Sequence, residues 1–167
     1  MRVLGFTGGS GAGKTTLLEK LIPELVGRGL RVSIIKHAHH GFDMDTPGKD
    51  SWRHREAGAS EVLISGGNRW ALLHECRDVP EPGFEDHLKR LSVCDWVLIE
   101  GYRRENCPRI EVWRGSLNRP HIYPDDPRVI AVASDVPLPT CPLPVLPLND
   151  AQAIADFMIA NIAHAQS

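Results

Sequence analysis

Short apolar runs alternate with amphipathic segments along most of the chain. Residues 2–7 form the first run, which ends at glycines and is typical of a strand buried on both faces of a parallel sheet. In residues 15–26 the apolar positions recur at helical spacing, which predicts a helix with one face toward a core. Pro23 is expected to kink this helix or loosen its last turn. The chain therefore begins with a predicted strand, a glycine-rich loop and a helix.

The same alternation continues toward the C-terminus. It predicts strands at residues 31–35, 95–100, 109–114 and 128–133, and helices at residues 51–58, 84–91 and 150–163. Asp50 or Ser51 is the expected N-cap of the first of these helices, and Asp150 that of the last. Residues 61–65 and 69–74 flank Gly66-Gly67-Asn68, a composition that predicts a tight antiparallel hairpin. The proline-dense residues 137–147 predict a tethered loop with one short edge strand.

This order of elements defines the expected fold class. Alternating strands and helices predict a three-layer α/β fold, with a doubly wound, mainly parallel sheet and an added antiparallel hairpin. A length of 167 residues fits a single domain covering residues 1–167. The hairpin and the strand at residues 109–114 are expected to be extra antiparallel elements outside this basic fold. Pairing them between two subunits would form a homodimer.

Composition excludes several classes of protein. No apolar run approaches the roughly 18 residues that cross a membrane, and the first apolar run is too short for an export signal. The four cysteines form no C-x-x-C pair, so neither a zinc ribbon nor a redox motif is indicated, and we expect reduced thiols in the cytoplasm. A net charge of −2 argues against a surface that attracts nucleic acid as a whole. We therefore expect neither nucleic acid nor membrane among the partners.

The glycine-rich loop at residues 8–15 satisfies G-x-x-x-x-G-K-[ST] and lies between a predicted strand and a predicted helix. This motif is the P-loop, and it predicts that the three-layer α/β fold is of the P-loop NTPase type. Its glycines allow successive N–H groups to point at phosphate oxygens, and the helix N-terminus adds partial positive charge. Lys14 is expected to neutralise the β and γ phosphates, and the Thr15 hydroxyl to bind Mg²⁺. The expected nucleotide-binding residues are Gly8, Gly9, Ser10, Gly11, Ala12, Gly13, Lys14, Thr15 and Thr16.

A further magnesium ligand is expected at the end of a neighbouring strand. Glu100 fits this position; it would bind the metal through water or orient the attacking water, and the sequence leaves both roles open. The polar loop at residues 36–50 follows the second predicted strand and opens at the same carboxyl edge as the P-loop. In this loop, Asp43 is a candidate magnesium ligand through water, and Asp45 is a candidate to act on the attacking water.

Cationic and imidazole side chains surround these carboxylates in the sequence. Phosphate or an anionic pterin is the expected ligand of Lys36, Lys49, Arg53 and His54. The histidines at positions 37, 39 and 40 leave two interpretations open, a solvated cluster or functional ligands, and a transition-metal site is the less favoured one.

Several motifs taken together carry a resemblance to a known family. They are the P-loop, residues 36–54, Ala57-Gly58-Ala59, Ile99-Glu100-Gly101-Tyr102 and Pro108-Arg109-Ile110-Glu111-Val112. In these motifs the chain resembles the molybdopterin-guanine dinucleotide biosynthesis protein B family, MobB. The resemblance implies a small, dimeric, cytoplasmic GTP-binding protein with weak Mg²⁺-dependent GTPase activity. It also implies a partner, the MobA-type guanylyltransferase that joins GMP to molybdopterin, and leaves open whether molybdopterin itself binds.

Recognition of guanine is expected from Asp135. It follows the predicted strand at residues 128–133, where GTP-binding relatives use an Asp to accept hydrogen bonds from guanine N1 and N2. The flanking residues lack the N-K-x-D pattern, and Asp150 is a second possibility. Two other functions also stay open. One is a small-molecule kinase with Arg103, Arg104 and Arg109 as its lid, and the other is a metallochaperone-type GTPase that delivers a metal through its histidines.

Overall fold

The structure is a computed structural model, and it describes residues 1–38, 41–102 and 105–162. It divides into two compact units, one formed by residues 1–37 with the chain from residue 84 onward, the other by residues 38–83. In chain order the elements are β1 (Arg2–Thr7), α1 (Lys14–Gly27), β2 (Val32–Lys36), α2 (Asp50–Glu56), β3 (Glu61–Ser65), β4 (Trp70–His74), α3 (Phe84–Arg90), β5 (Trp96–Glu100), β6 (Arg109–Trp113), β7 (Val129–Ser134), β8 (Val145–Pro147) and α4 (Ala151–Asn161).

The first unit contains a six-stranded sheet in the order β2-β5-β1-β6-β7-β8. Each neighbouring pair of strands runs parallel. All six carboxyl ends therefore meet at one edge, where loops after parallel strands form ligand sites. This arrangement confirms the predicted α/β fold class.

Alternating strand residues cover the two faces of this sheet. On one face, Leu4 and Phe6 of β1 are buried in a cluster with residues of α1 and α4. On the other face, Val97 and Ile99 of β5 are buried in a second cluster with Phe84 of α3. Since successive strand side chains point to opposite faces, a parallel sheet with helices on both sides must be apolar throughout. The result is the predicted three-layer arrangement.

Strand β6 corrects one prediction. We expected residues 109–114 to be an antiparallel element outside the nucleotide fold, available for pairing between subunits. Instead β6 lies between β1 and β7 and is parallel to both. Its Ile110 and Val112 belong to the main core. The segment that leads from β6 to β7 contains only a short 3-10 turn, Gly115–Leu117, so the helical pattern typical of a parallel crossover is missing from the sequence.

The helix ends agree only in part with the predictions. Helix α1 continues beyond Pro23 to Gly27. The N-cap of α2 is Lys49 rather than Asp50 or Ser51. The Ser51 hydroxyl instead donates to Oδ1 of Asp45. Asp150 caps α4, as predicted, by accepting a 2.9 Å hydrogen bond from the backbone N–H of Ala153.

The second unit contains α2 and the antiparallel hairpin of β3 and β4, which confirms the predicted hairpin. Leu63 pairs with Leu72, and Ser65 with Trp70. The apolar members of this face, Leu63, Trp70 and Leu72, are all exposed within the chain. In the described parts of both units, no helix combines the length and apolar character needed to span a bilayer.

Candidate functional site

The P-loop runs from the end of β1 to the start of α1 and has the backbone shape that its sequence demands. Gly8 has a φ of 152°, and a β-carbon there would lie 2.3 Å from the carbonyl oxygen of Val112. Gly13 has a φ of 98° and is the N-cap of α1. Any other residue at either position would clash or be strained. The two glycines therefore let the chain turn directly from strand into helix.

The ammonium group of Lys14 lies on the inside of this loop. Its Nζ donates hydrogen bonds of 3.0 Å to the carbonyl oxygens of both Gly8 and Gly9. The cation is thus placed at the Gly8-Gly9 end of the loop. A P-loop lysine contacts the β and γ phosphates, so this end is where those phosphates would lie.

Thr15 and Glu100 meet at the carboxyl edge of the sheet. The Thr15 hydroxyl donates a 3.0 Å hydrogen bond to Oε1 of Glu100, and Nζ of Lys36 lies 3.7 Å from Oε2. The register of the sheet causes this meeting, because Glu100 is opposite Phe6 in β1 and opposite Lys36 in β2. A hydroxyl and a carboxylate are oxygen donors of the kind that Mg²⁺ prefers. Thr15 and Glu100 therefore fit the predicted metal site.

A cavity of about 340 Å³ opens over the P-loop. It is lined by Ser10, Gly11, Gly13, Lys14, Thr15, Thr16 and Glu100. All seven are among the residues that the sequence predicted for nucleotide or metal binding. The remaining predicted loop residues, Gly8, Gly9 and Ala12, shape the turn beneath it, and Ala12 is buried.

Asp135 lies just beyond β7 and faces the end of β6. Its Oδ1 accepts a 2.8 Å hydrogen bond from the backbone N–H of Gly115, and its Oδ2 lies 3.5 Å from Nη1 of Arg114. The same arginine approaches the P-loop, since a β-carbon on Gly13 would lie 3.1 Å from its Nη2. A carboxylate has about four acceptor positions, so Asp135 keeps acceptor capacity beyond these two contacts.

Asp43 and Asp45 belong to the second unit, where both bind Arg55. Arg55 donates to Asp43 at 2.9 Å, to Asp45 at 3.2 Å and to Glu75 at 2.8 Å. The Glu75 carboxylate, followed by Asp43, raises the pKa of Arg55 above its ordinary value. A hydrogen bond from the Asp45 backbone N–H lowers the pKa of Asp43, and one from the Ser51 hydroxyl lowers that of Asp45. Both carboxylates are therefore held ionised.

The remaining residues predicted to bind a ligand are the histidines after β2 and the cationic residues of α2. The ring of His37 packs on Tyr102, with centroids 4.5 Å apart; His39 and His40 lie outside the described residues. Lys49, Arg53 and His54 belong to the start and last turn of α2. Across the described residues, no three His, Cys, Asp or Glu side chains are grouped to hold a metal ion.

Arg109 is not part of a lid, which corrects another prediction. It is buried beneath the sheet edge, and its Nη2 donates to the carbonyl oxygens of Tyr102 at 2.8 Å and Glu105 at 2.6 Å. Burial lowers the pKa of its guanidinium from the ordinary value. Arg109 therefore supports the chain that follows Glu100. Arg103 and Arg104 lie outside the described residues.

Residues after β6 complete the surroundings of the P-loop and were missed by the sequence analysis. A β-carbon on Gly9 would lie 2.8 Å from Nη1 of Arg119. The indole N–H of Trp113 donates to the carbonyl oxygen of Arg119 at 2.9 Å. Only the position of this segment directly after a strand end, at the functional edge of the sheet, hinted at such a role.

Comparisons with known proteins match this chain to one family. Residues 3–135 match the family model described as Molybdopterin guanine dinucleotide synthesis protein B, MobB. A protein of Haemophilus influenzae named "Molybdopterin-guanine dinucleotide biosynthesis adapter protein" is 45% identical over 166 residues, with 97% of this chain and 89% of that protein covered. A protein of Escherichia coli K12 with the same name is 44% identical, with 94% and 91% covered.

Solved structures show the same fold. The crystal structure of Bacillus subtilis MobB has a TM-score of 0.75 at 22% identity, covering 99% of this chain and 100% of that one. A MobB homologue from Bacillus stearothermophilus has a TM-score of 0.67 at 24% identity, with 96% and 97% covered. The family model, the two relatives and the conserved fold lead to one conclusion: the chain belongs to the MobB family.

Proposed function

We propose that this chain is a cytoplasmic GTP-binding adapter protein of molybdopterin-guanine dinucleotide biosynthesis, with slow Mg²⁺-dependent GTPase activity. The names of the relatives at 45% and 44% identity support the pathway. The meeting of Lys14, Thr15 and Glu100 around one cavity is the observation that carries nucleotide binding. A MobA-type guanylyltransferase is the partner proposed for the adapter, and molybdopterin is a further candidate ligand.

The loop residues have separate roles in this proposal. Backbone N–H groups from Gly9 to Thr16 and the N-terminus of α1 bind the phosphate oxygens. The ammonium of Lys14 exchanges its contacts with the Gly8 and Gly9 carbonyl oxygens for the β and γ phosphates. Thr15 and Glu100 would hold Mg²⁺, which neutralises charge on the phosphates. Glu100 also accepts a hydrogen bond from the attacking water or from a metal-bound water.

Guanine is proposed to bind at the carboxyl edge near β7. Asp135 would accept hydrogen bonds from guanine N1 and N2, while Gly115 and Arg114 fix the orientation of its carboxylate. Adenine lacks this pair of donors, so it cannot make these hydrogen bonds to the Asp135 carboxylate. This difference would favour GTP over ATP.

Asp43 and Asp45 are proposed to act in hydrolysis, Asp43 as a ligand of Mg²⁺ through water and Asp45 on the attacking water. Both carboxylates are ionised and bound to Arg55, so either role requires that they exchange contacts with this guanidinium. GTP turnover of Asp43→Ala and Asp45→Ala tests the idea. A fall in turnover with unchanged GTP affinity is expected, and unchanged turnover in both variants would remove these residues from the chemistry.

Binding of nucleotide is tested most directly at Lys14. Titration calorimetry of the unaltered protein with GTP and ATP, with and without Mg²⁺, should show saturable binding that favours Mg²⁺·GTP. Lys14→Ala should weaken this binding by about 100-fold or more, because the lysine is the cation at the terminal phosphates. If Lys14→Ala binds GTP as tightly as the unaltered protein, the P-loop is not the nucleotide site.

Retention of a MobA-type guanylyltransferase on the immobilised chain tests the proposed protein partner.

A further inference from the structure

A second cation besides Lys14 lies against the P-loop, beside Gly9. The Arg119 side chain packs on Gly9 so closely that a β-carbon there would lie 2.8 Å from its Nη1 and 2.9 Å from its Cδ. Gly9 is one of the two residues whose carbonyl oxygens bind the Lys14 ammonium. Two cationic side chains therefore converge on one short stretch of backbone, the stretch at which the β and γ phosphates are expected.

The guanidinium of Arg119 is available for an anion. Across the described residues it has neither a hydrogen bond nor an ion pair. Arg114 is the other arginine beside the loop. It approaches Gly13 at the helix end of the loop, and its guanidinium pairs with Asp135. Arg119 is thus the unpartnered arginine at the Gly8-Gly9 end.

The backbone around Arg119 is held by side chains of β6. Its carbonyl oxygen accepts the Trp113 indole N–H at 2.9 Å. The carboxylate of Glu111, which is only 1% exposed, accepts hydrogen bonds from the backbone N–H groups of Ile122 and Tyr123 at 2.9 and 3.0 Å. Glu111 and Trp113 both belong to β6, so the central sheet holds the loop that carries Arg119. A ligand group placed by a rigid scaffold loses little entropy on binding.

A cavity of about 210 Å³ lies beneath this loop, with Gly9, Trp113 and Arg119 among its walls. The Arg119 side chain therefore borders open space as well as Gly9. The negative charge of Glu111 in the same wall is already bound by two amides. The loop therefore presents one guanidinium without a hydrogen-bond or ion-pair partner among the described residues, on a backbone held by β6.

We infer that Arg119 binds the terminal phosphate of the nucleotide, and so allows the protein to distinguish a nucleoside triphosphate from a diphosphate. The inference rests on the proposed function, because it requires that the P-loop binds nucleotide. A planar guanidinium suits this task, since it donates two parallel hydrogen bonds to phosphate oxygens. For an adapter protein, this contact would make the β6–β7 segment report which nucleotide is bound.

The test compares GTPγS, a slowly hydrolysed analogue of GTP, with GDP. Calorimetric affinities for both, with Mg²⁺, are measured for the unaltered protein, Arg119→Ala, Arg119→Lys and the control Arg31→Ala. Arg31 is exposed and precedes β2 at the amino edge of the same sheet. We expect Arg119→Ala to weaken GTPγS by about 10- to 100-fold, the value of a charge-assisted hydrogen bond. Its affinity for GDP should stay within about twofold, as should both affinities of Arg31→Ala.

Arg119→Lys keeps the charge but loses the planar fork, so it should recover only part of the GTPγS affinity. Equal losses for GTPγS and GDP, or no loss for either, would overturn the inference while leaving the proposed nucleotide binding intact. Absence of saturable binding by the unaltered protein would overturn both. Thermal melting of each variant shows whether the fold is retained, which we expect because Arg119 is exposed.

Discussion

The hydroxyl of Thr15 and the carboxylate of Glu100 are joined by a 3.0 Å hydrogen bond across 85 positions of sequence. The contact exists because β1 and β5 are neighbours in parallel register, so that the chain leaving each strand reaches the same edge. It couples the P-loop to the strand that follows α3. The two residues form one oxygen-rich site, and neither supplies it alone.

This relationship predicts a specific magnesium defect. Glu100→Gln keeps the shape and an acceptor oxygen but removes the charge, so the Mg²⁺ concentration needed for half-maximal GTPase activity should rise by about 10- to 100-fold, as for other groups that support a metal site. Nucleotide affinity measured in EDTA should not change, because Lys14 and the loop amides remain. Thr15→Ala should act in the same direction. Unaltered magnesium dependence in both variants would contradict the assignment.

The hydrogen bond also shows what the sequence predicts well and where it fails. The P-loop and Glu100 were predictable, because a glycine-rich turn between a strand and a helix, and an acid at a strand end, are local patterns. Arg119 was not, since its contact with Gly9 depends on a loop held by one hydrogen bond that Trp113 donates and others that Glu111 accepts. Strand β6 was misassigned for a related reason, the absence of a crossover helix. Local sequence patterns determine individual helices and strands, whereas contacts between residues distant in sequence depend on packing.

A second prediction concerns the choice of base. Asp135→Asn keeps an oxygen that can accept from the Gly115 N–H, but its amide group now donates where guanine N1 and N2 also donate. GTP affinity should fall by at least about tenfold. Xanthosine triphosphate should gain affinity, because xanthine has an acceptor oxygen in place of the guanine amino group. Calorimetry with the two nucleotides measures both changes, and equal affinity of the variant and the unaltered protein for GTP would exclude Asp135 as the base reader.

A third prediction concerns a homodimer. Leu63 is 62% exposed and Trp70 is 67% exposed on one face of the hairpin, a large apolar exposure for two strands that are marginally stable alone. We propose that a second copy of the chain covers this face. Leu63→Lys should then shift the mass measured by light scattering from dimer to monomer at micromolar concentration. Val93→Lys is the matched control, because Val93 is 80% exposed in the first unit. A monomeric unaltered protein would refute the proposal.

A fourth prediction concerns the response of the Arg55 cluster to acid. Hydrogen bonds from Ser51 to Asp45 and from the Asp45 N–H to Asp43 lower the pKa of each carboxyl in the folded state. A lowered folded pKa means that the stabilising contribution is fully present above the unfolded value of about 3.9 and is lost as the pH falls through the folded pKa. The free energy of unfolding should therefore decrease below about pH 4.

Carboxyl-carbon NMR titration separates the two groups of this cluster. Both Asp43 and Asp45 should titrate below about 3.9 in the unaltered protein. Ser51→Ala removes the largest cause acting on Asp45 and should move the pKa of Asp45 upward, while Asp43 keeps the backbone N–H of Asp45 and should move less. A pKa of Asp45 that does not respond to Ser51→Ala would show that the Thr46 N–H and Arg55 hold this carboxylate without help from the hydroxyl.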